Sequence, residues 1–196
     1  MDKYKIKIIS IYIKNFKNIK SGYINLDDIS NEFSVMKIIS FFTNLVLNNR
    51  LQKNYKENIL RDREEMSLIL KLSISNNDKE QFIAVYSYTF LIKENLMKKE
   101  SLRIATHKDN GEYSNYKTYF SCSLDKYNNF TTCNFSPYYH VKLRHMKSSY
   151  ALVSSSKNGP SLLFSDVIFK TLAENKNKEV LNVLCILRFY VKTIQI

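Results

Sequence analysis

The sequence has 196 residues but no tryptophan, only three glycines and only two prolines, so strong turn signals are scarce. Chain reversals must therefore be built mostly from Asn, Asp and Ser, which also favour turns. No apolar run reaches about 18 residues, the length that a membrane-spanning helix needs, so we predict no membrane partner. The N-terminus alternates charged and apolar residues, which is not typical of a signal peptide.

Cysteine is also rare, and its three copies, Cys122, Cys133 and Cys185, are widely spaced. An odd number of cysteines without a Cys-x-x-Cys motif predicts reduced thiols in a cytoplasmic protein. A zinc site built from Cys122, Cys133, His140 and His145 is disfavoured, because the two cysteines lie eleven positions apart. We predict that Cys122 is a small buried side chain in a strand.

Residues suited to hydrolytic catalysis are few. The chain has no Gly-x-Ser-x-Gly motif, and its histidines, His107, His140 and His145, are interpreted as surface or loop residues. Asp27 and Asp28 could hold a cation, but a helix-capping role is the simpler interpretation. We therefore predict no catalytic residue, no cofactor-binding residue, no metal ligand and no cofactor.

Basic residues outnumber acidic ones by 30 to 18, which gives a formal net charge of +12 and a pI of about 9.5. Such a charge is typical of nucleic-acid partners. The lysines are dispersed along the chain, however, and AT-rich codon usage favours Lys together with Asn, Ile, Tyr and Phe. We expect a solvated basic exterior and, at most, weak binding of nucleic acid. One segment combines aromatic and cationic residues suited to single strands: Tyr138, Tyr139, Lys142, Arg144, Lys147 and Tyr150.

The N-terminal part combines two structural patterns. Apolar-rich segments at residues 6–13 and 23–26 flank a polar stretch at 14–22, which predicts a β-hairpin. Residues 33–47 then place apolar side chains at helical spacing, which predicts an amphipathic helix. Residues 48–65 are highly charged and predict a solvated helix or connection.

From residue 66 to 133 the apolar period changes to two. The predicted strands are 67–75, 81–90, 96–106, 116–123 and 129–133. Short polar turns between successive strands favour an antiparallel meander.

The C-terminal part is predicted to contain loops over 134–159, a short helix at 167–174 and a second helix at 178–192. The second helix is apolar on most faces, so it must be buried in its own core or against another surface. It therefore predicts a protein partner or self-association.

Three sequence segments carry a resemblance to a known family. Residues 13–22, Ile-Lys-Asn-Phe-Lys-Asn-Ile-Lys-Ser-Gly, resemble the start of bacterial AAA-family ATP-binding proteins of the ABC, SMC and RecF-like type. Residues 41–46, Phe-Phe-Thr-Asn-Leu-Val, resemble the end of the helix that follows the phosphate-binding loop in that family. Residues 86–96 are similar to its Tyr- and Phe-rich strand and the Ile-x-x-Glu-x-Leu segment after it.

The resemblance implies a third strand and a phosphate-binding loop before the helix, and this chain lacks both. Asn31-Glu32-Phe33 occupy the place of the family's Gly-Lys-Ser/Thr, and neither Gly nor Lys lies between Leu26 and Ser34. Walker A, Walker B and signature motifs are all missing. The resemblance therefore predicts a degenerate or truncated ATP-binding protein without ATPase activity of its own. The alternative is a non-enzymatic binding module for nucleic acid or a protein.

The predicted fold class is α+β, an incomplete ABC-type ATPase lobe that forms a single domain over 1–196. Its four parts are a hairpin plus helix at 1–47, the charged connection at 48–65, the meander at 66–133 and the loop and helices at 134–196.

Overall fold

A computed structural model describes residues 4–26, 37–42, 44, 60, 63–76, 79–91, 96–124, 130–135, 161, 163 and 185. The described chain forms one antiparallel sheet of seven strands in the order β2-β1-β3-β4-β5-β6-β7. The strands are β1 (Tyr4–Phe16), β2 (Ile19–Asn25), β3 (Glu65–Asn76), β4 (Lys79–Leu91), β5 (Leu96–Thr106), β6 (Lys117–Leu124) and β7 (Phe130–Phe135).

Alternation of side chains gives the sheet an apolar side, which we call the core face. In β3 every second residue is buried, and the residues between them are only half-buried. This period of two is the spacing at which successive side chains of a strand point to opposite sides. The buried β3 residues are Met66, Leu68, Leu70, Leu72 and Ile74.

Helical residues cover part of the core face. Residues 37–42 and Asn44 are helical, and Ile38, Phe41 and Phe42 are buried. The Phe41 ring meets Phe16 edge-on at 6.1 Å between centroids, and the Phe42 ring lies 5.4 Å from Tyr86. The helical spacing of these three apolar residues places them on one stripe that faces the sheet.

The predicted hairpin exists, but its predicted turn at 14–22 is wrong. Strand β1 continues to Phe16 and β2 begins at Ile19, so the turn consists of Lys17 and Asn18. Asn15 and Lys17 have positive φ angles of 55° and 51°, which lets the strand end without a glycine. The Asn15 amide donates to the Glu65 carbonyl at 2.9 Å and fixes this conformation.

The five predicted meander strands match β3 to β7 within one or two residues at each end. Two boundaries need correction. Glu65 begins β3 and is not part of the charged connection at 48–65. Residues 134 and 135 complete β7 and are not part of the loop predicted for 134–159.

The predicted α+β fold class, with a hairpin and helix, a meander and C-terminal helices, is wrong, because the described residues are mostly antiparallel sheet with very little helix. In the described ranges, helix occurs at 37–42, Asn44 and Cys185. Seven strands, several of them 11 to 13 residues long, pair in one sheet, and this pairing dominates the architecture of the described residues. The helix predicted at 167–174 lies outside the described residues, as does that at 178–192 except for Cys185.

None of the helical residues that the structure describes belongs to a helix long and apolar enough to cross a membrane.

Candidate functional site

The side of the sheet opposite the core face carries many cationic and hydroxyl side chains, and we call it the basic face. Because paired residues in neighbouring strands point to the same side, the strand register places these groups together. Its cationic residues come from β1, β3 and β5: Lys5, Lys7, Lys14, Lys71, Lys98, Lys99 and Arg103.

Two adjacent rows of register positions cross the basic face from β2 to β7. The Ser67 and Thr89 hydroxyls of the first row are 3.1 Å apart and hydrogen-bonded. The first row is Ser21, Lys14, Ser67, Thr89, Lys99, Ser123 and Thr132. The second row is Tyr23, Tyr12, Ile69, Ser87, Ser101, Ser121 and Asn134.

The acidic residue of the basic face whose side chain is described, Glu65, lies at one end of the face, where β3 begins. At the other end of the register, the backbone of Glu80 pairs with that of Ser75. The Lys98 ammonium donates to Glu65 at 2.8 Å, and the Lys14 ammonium lies 3.6 Å away. The Lys98 hydrogen bond, with the charges of Lys98 and Lys14, lowers the Glu65 pKa although partial burial opposes the change. Glu65 therefore stays ionised.

Between those ends, the described part of the face holds only cationic, hydroxyl, aromatic, amide and apolar residues. Lys14, Lys99 and Arg103 are exposed, and Lys71 is half-buried. Three small or branched apolar side chains of the face are buried: Ile83, Val85 and Ala105. The accessible region therefore comprises the two rows described above from β2 to β6, together with the neighbouring cations.

Aromatic side chains border this accessible region. Tyr12 and Tyr23 are directly opposite each other on β1 and β2, and Tyr23 is 67% exposed. On β5, the Arg103 guanidinium lies 5.8 Å from the centre of the Tyr116 ring, and Tyr116 is 44% exposed. Rings beside cations can hold planar, negatively charged ligands by stacking and by charge.

A buried carboxylate, Glu100, lies on the core face and is 0% exposed. The Tyr86 hydroxyl donates to its Oε1 atom at 2.6 Å, and the Ser161 hydroxyl donates to the same atom at 2.5 Å. The Leu163 backbone N–H donates to Oε2 at 2.9 Å. A buried charge needs such partners, so these three donors allow Glu100 to occupy the interior.

Burial raises the pKa of the Tyr86 phenol well above its usual value, and the negative charge of Glu100 adds to this effect. Burial and Glu100 raise the pKa of Tyr88 in the same way. Both phenols therefore remain protonated, so Tyr86 continues to donate its proton to Glu100. The cluster joins the segment at Ser161 and Leu163 to the sheet, and its donors come from the protein itself.

The structure describes only some of the residues that the sequence singled out. His107 is exposed and its ring meets Tyr113 edge-on at 5.1 Å, so the prediction of a surface residue is confirmed. Cys122 is buried on β6 as predicted, and Cys133 is its register partner on β7. Cys185 is half-buried.

The remaining candidates lie outside the described residues: Asp27, Asp28, Tyr138, Tyr139, His140, Lys142, Arg144, His145, Lys147 and Tyr150. Among the residues that are described, no three His, Cys, Asp or Glu side chains come together in a group that could hold a metal ion.

The sequence interpretation missed both the basic face and the Glu100 cluster. A usable signal for the face was present, since Lys5 and Lys7 are two positions apart, as are Lys99, Ser101 and Arg103. In a strand that spacing places side chains on one side. The partners of Glu100 lie 61 and 63 positions away at Ser161 and Leu163, so no local pattern could have found them.

Comparisons with known proteins add little. The sequence matches no family model and no curated protein. One similar solved chain comes from a structure of the recombination mediator protein RecF with ATP in the RecFOR pathway, at a TM-score of 0.35 and 14% identity. The similarity covers 57% of this chain and 29% of that one. At this level it carries no argument, and the resemblance to ATP-binding proteins stays a prediction.

Proposed function

We propose that the chain is a non-enzymatic binding module whose basic face contacts the phosphate backbone of a nucleic acid. The observation that supports this function is the charge distribution of the face. Seven described cationic residues occupy it, and the one acidic residue of the face whose side chain is described, Glu65, lies at one end. A polyanion can therefore approach the centre without meeting a described carboxylate.

The neighbouring hydroxyl groups suit the same partner. Serine, threonine, asparagine and tyrosine side chains donate to phosphate oxygens, as lysine and arginine do. These contacts position a backbone but carry no base sequence, so binding is non-specific. It also releases counterions, so the logarithm of the affinity falls with the logarithm of the salt concentration by roughly 0.7 per phosphate contacted on a single strand.

Charge removal at matched positions tests this function. In one triple variant, Lys14→Gln, Lys99→Gln and Arg103→Gln remove three exposed cations from the face. The control variant removes three exposed lysines from elsewhere: Lys20, Lys37 and Lys117. Both variants lose the same net charge, so a general charge effect weakens both equally.

Fluorescence anisotropy with a labelled single strand at about 0.1 M salt, where the Debye length is about 10 Å, compares the two variants. We expect the face variant to bind at least about 10-fold more weakly than wild type, a change of about 1.4 kcal/mol. The control should stay within about 2-fold, because exposed charges far from the contact are largely screened. Equal weakening in both variants, or no binding by wild type, would overturn the proposed function.

A second candidate function concerns the lineage that the sequence resembles. In this second proposal, the chain is a degenerate ATP-binding protein without ATPase activity of its own. Residues 27–36 are the only ten positions between Leu26 and the first described helical residue, Lys37. The family's phosphate-binding loop comes directly before its helix, so these ten positions are where the resemblance places such a loop.

The composition of those ten positions also opposes phosphate binding. They contain no glycine and no lysine, and three of them are acidic: Asp27, Asp28 and Glu32. Isothermal titration with Mg-ATP should therefore show no saturable binding tighter than about 10 μM. Saturable binding with a Kd below about 10 μM would contradict the prediction that the chain has no working nucleotide site. Hydrolysis of ATP by the purified chain would contradict it as well.

A further inference from the structure

The inference concerns the tyrosine pair at the β1–β2 edge of the basic face, and it rests on the proposed function. Tyr12 and Tyr23 are direct register partners. Directly opposite residues in an antiparallel pair have Cβ atoms about 4.5–5.5 Å apart, so their side chains lie side by side on one surface. Tyr23 is 67% exposed and Tyr12 is partly exposed.

Polar residues flank this pair along the strands. Lys14 and Ser21 are the register partners on one side, and Ser10 and Asn25 are the partners on the other. Lys14, Ser21 and Asn25 are exposed, whereas Ser10 is buried, so the ring surface has one cation and two accessible hydrogen-bonding groups next to it. This combination of an aromatic surface with adjacent phosphate contacts is the one that holds successive bases of a single strand.

The exposed aromatic rings lie at the basic face, and the abundance of tyrosine in the chain does not by itself explain that location. The chain has 14 tyrosines and 12 phenylalanines. Among the described residues, however, the large hydrophobic side chains that are exposed are Tyr23 and Tyr116. Tyr23 belongs to the basic face, and Tyr116 contacts the Arg103 guanidinium of the same face. Ring exposure therefore coincides with the cationic surface.

We propose that Tyr12 and Tyr23 form a stacking platform for an unpaired base, so that the basic face selects single-stranded over double-stranded nucleic acid. A duplex hides the faces of its bases in its own stack, whereas a single strand can turn a base onto an aromatic ring. The cations contact phosphates of either form, so the tyrosine pair supplies the discrimination between them.

Two substitutions at Tyr23 separate stacking from simple apolar contact. Tyr23→Leu removes the aromatic ring but keeps an apolar side chain, and Tyr23→Phe keeps the ring. Tyr23 is mostly exposed, so both variants should fold, which thermal melting checks. The probes are a labelled oligothymidylate of about 15 nucleotides, a length near the site sizes of single-strand binding domains, and the same strand annealed to its oligoadenylate complement.

We expect wild type to prefer the single strand. Tyr23→Leu should weaken single-strand binding by roughly 5-fold or more, whereas duplex binding should change less than 2-fold and Tyr23→Phe should behave as wild type. Three results would each overturn the proposed stacking platform. They are equal affinity of wild type for the two forms, equal weakening of both forms by Tyr23→Leu, and equal effects of Tyr23→Leu and Tyr23→Phe. The proposed function fails separately, if neither form binds or if the Lys14, Lys99 and Arg103 variant binds as the control does.

Discussion

Glutamine at position 100 should destabilise the protein strongly, although it has almost the same shape as glutamate. From the described residues, the Glu100 carboxylate accepts three hydrogen bonds, two at Oε1 and one at Oε2. An amide has one acceptor oxygen, so its NH₂ group must face either the two hydroxyls or the Leu163 N–H. At least one donor then loses its acceptor, and the other bonds lose the assistance of a full charge.

The size of the effect follows from these lost bonds. A hydrogen bond to a charged group contributes about 1.5–3 kcal/mol, and an unsatisfied buried donor costs about 1–3 kcal/mol. These two quantities describe overlapping losses, so we expect Glu100→Gln to lower the free energy of unfolding by about 2–4 kcal/mol. Domains of ordinary stability have about 5–15 kcal/mol in total. The substitution should therefore remove a large part of the stability.

Urea denaturation followed by circular dichroism measures this loss. Glu64→Gln is the matched control, because Glu64 is exposed and surface substitutions usually change stability by less than about 0.5 kcal/mol. Hydrogen exchange gives a local readout, since the Leu163 amide proton should exchange faster in the Glu100→Gln variant. A stability equal to wild type within about 0.5 kcal/mol, with unchanged exchange at Leu163, would refute the reasoning.

Two further predictions concern pH. The folded protein holds the Tyr86 proton more tightly than the unfolded chain, whose tyrosine pKa is near 10.0, so stability should fall as pH rises above that value. Tyr86→Phe should reduce this slope in urea titrations above pH 10, and an unchanged slope would contradict the buried phenol as its source. The lowered pKa of Glu65 contributes stability above the usual glutamate pKa of 4.5, and this stability is lost as pH falls. Because Glu65 is 30% exposed, we expect Glu65→Gln to cost less than about 1 kcal/mol at pH 7 and nothing measurable near pH 2; a larger loss would contradict a surface ion pair.

The meander was predictable because burial on one side of the sheet imposes a strict period of two. Strands β3, β4 and β5 each alternate buried and less buried residues over much of their length. A shift by one residue would reverse every side chain, so the apolar pattern fixes both the strand and its orientation. The predicted 96–106 strand accordingly agrees with β5 at both ends.

The hairpin turn was less predictable because its residues are unusual. A lysine at positive φ is uncommon, and the Asn15 conformation is held by Glu65, which lies 50 positions away. A glycine at position 22 suggested a longer turn, but Gly22 lies inside β2 opposite Ile13. A local turn pattern could not reveal the hydrogen bond between Asn15 and Glu65 of β3.

The basic face was hidden by a β-bulge as well as by strand order. Lys7 and Lys14 are seven positions apart, an odd number that places side chains on opposite sides of a regular strand. The irregularity between Ile8 and Ser10 shifts the register of β1 by one residue. Lys7 and Lys14 therefore lie on the same side, opposite Ser73 and Ser67 of β3. A charge count along the sequence could not show this clustering.

The salt dependence of single-strand binding tests the proposed use of the basic face most directly. We expect the logarithm of the wild-type affinity to fall linearly with the logarithm of salt concentration. Replacing Lys14, Lys99 and Arg103 together by Gln should flatten that slope by roughly 2, because three phosphate contacts are lost at about 0.7 each. The Lys20, Lys37 and Lys117 control should keep the wild-type slope. The same slope in all three proteins would contradict a phosphate contact at the basic face.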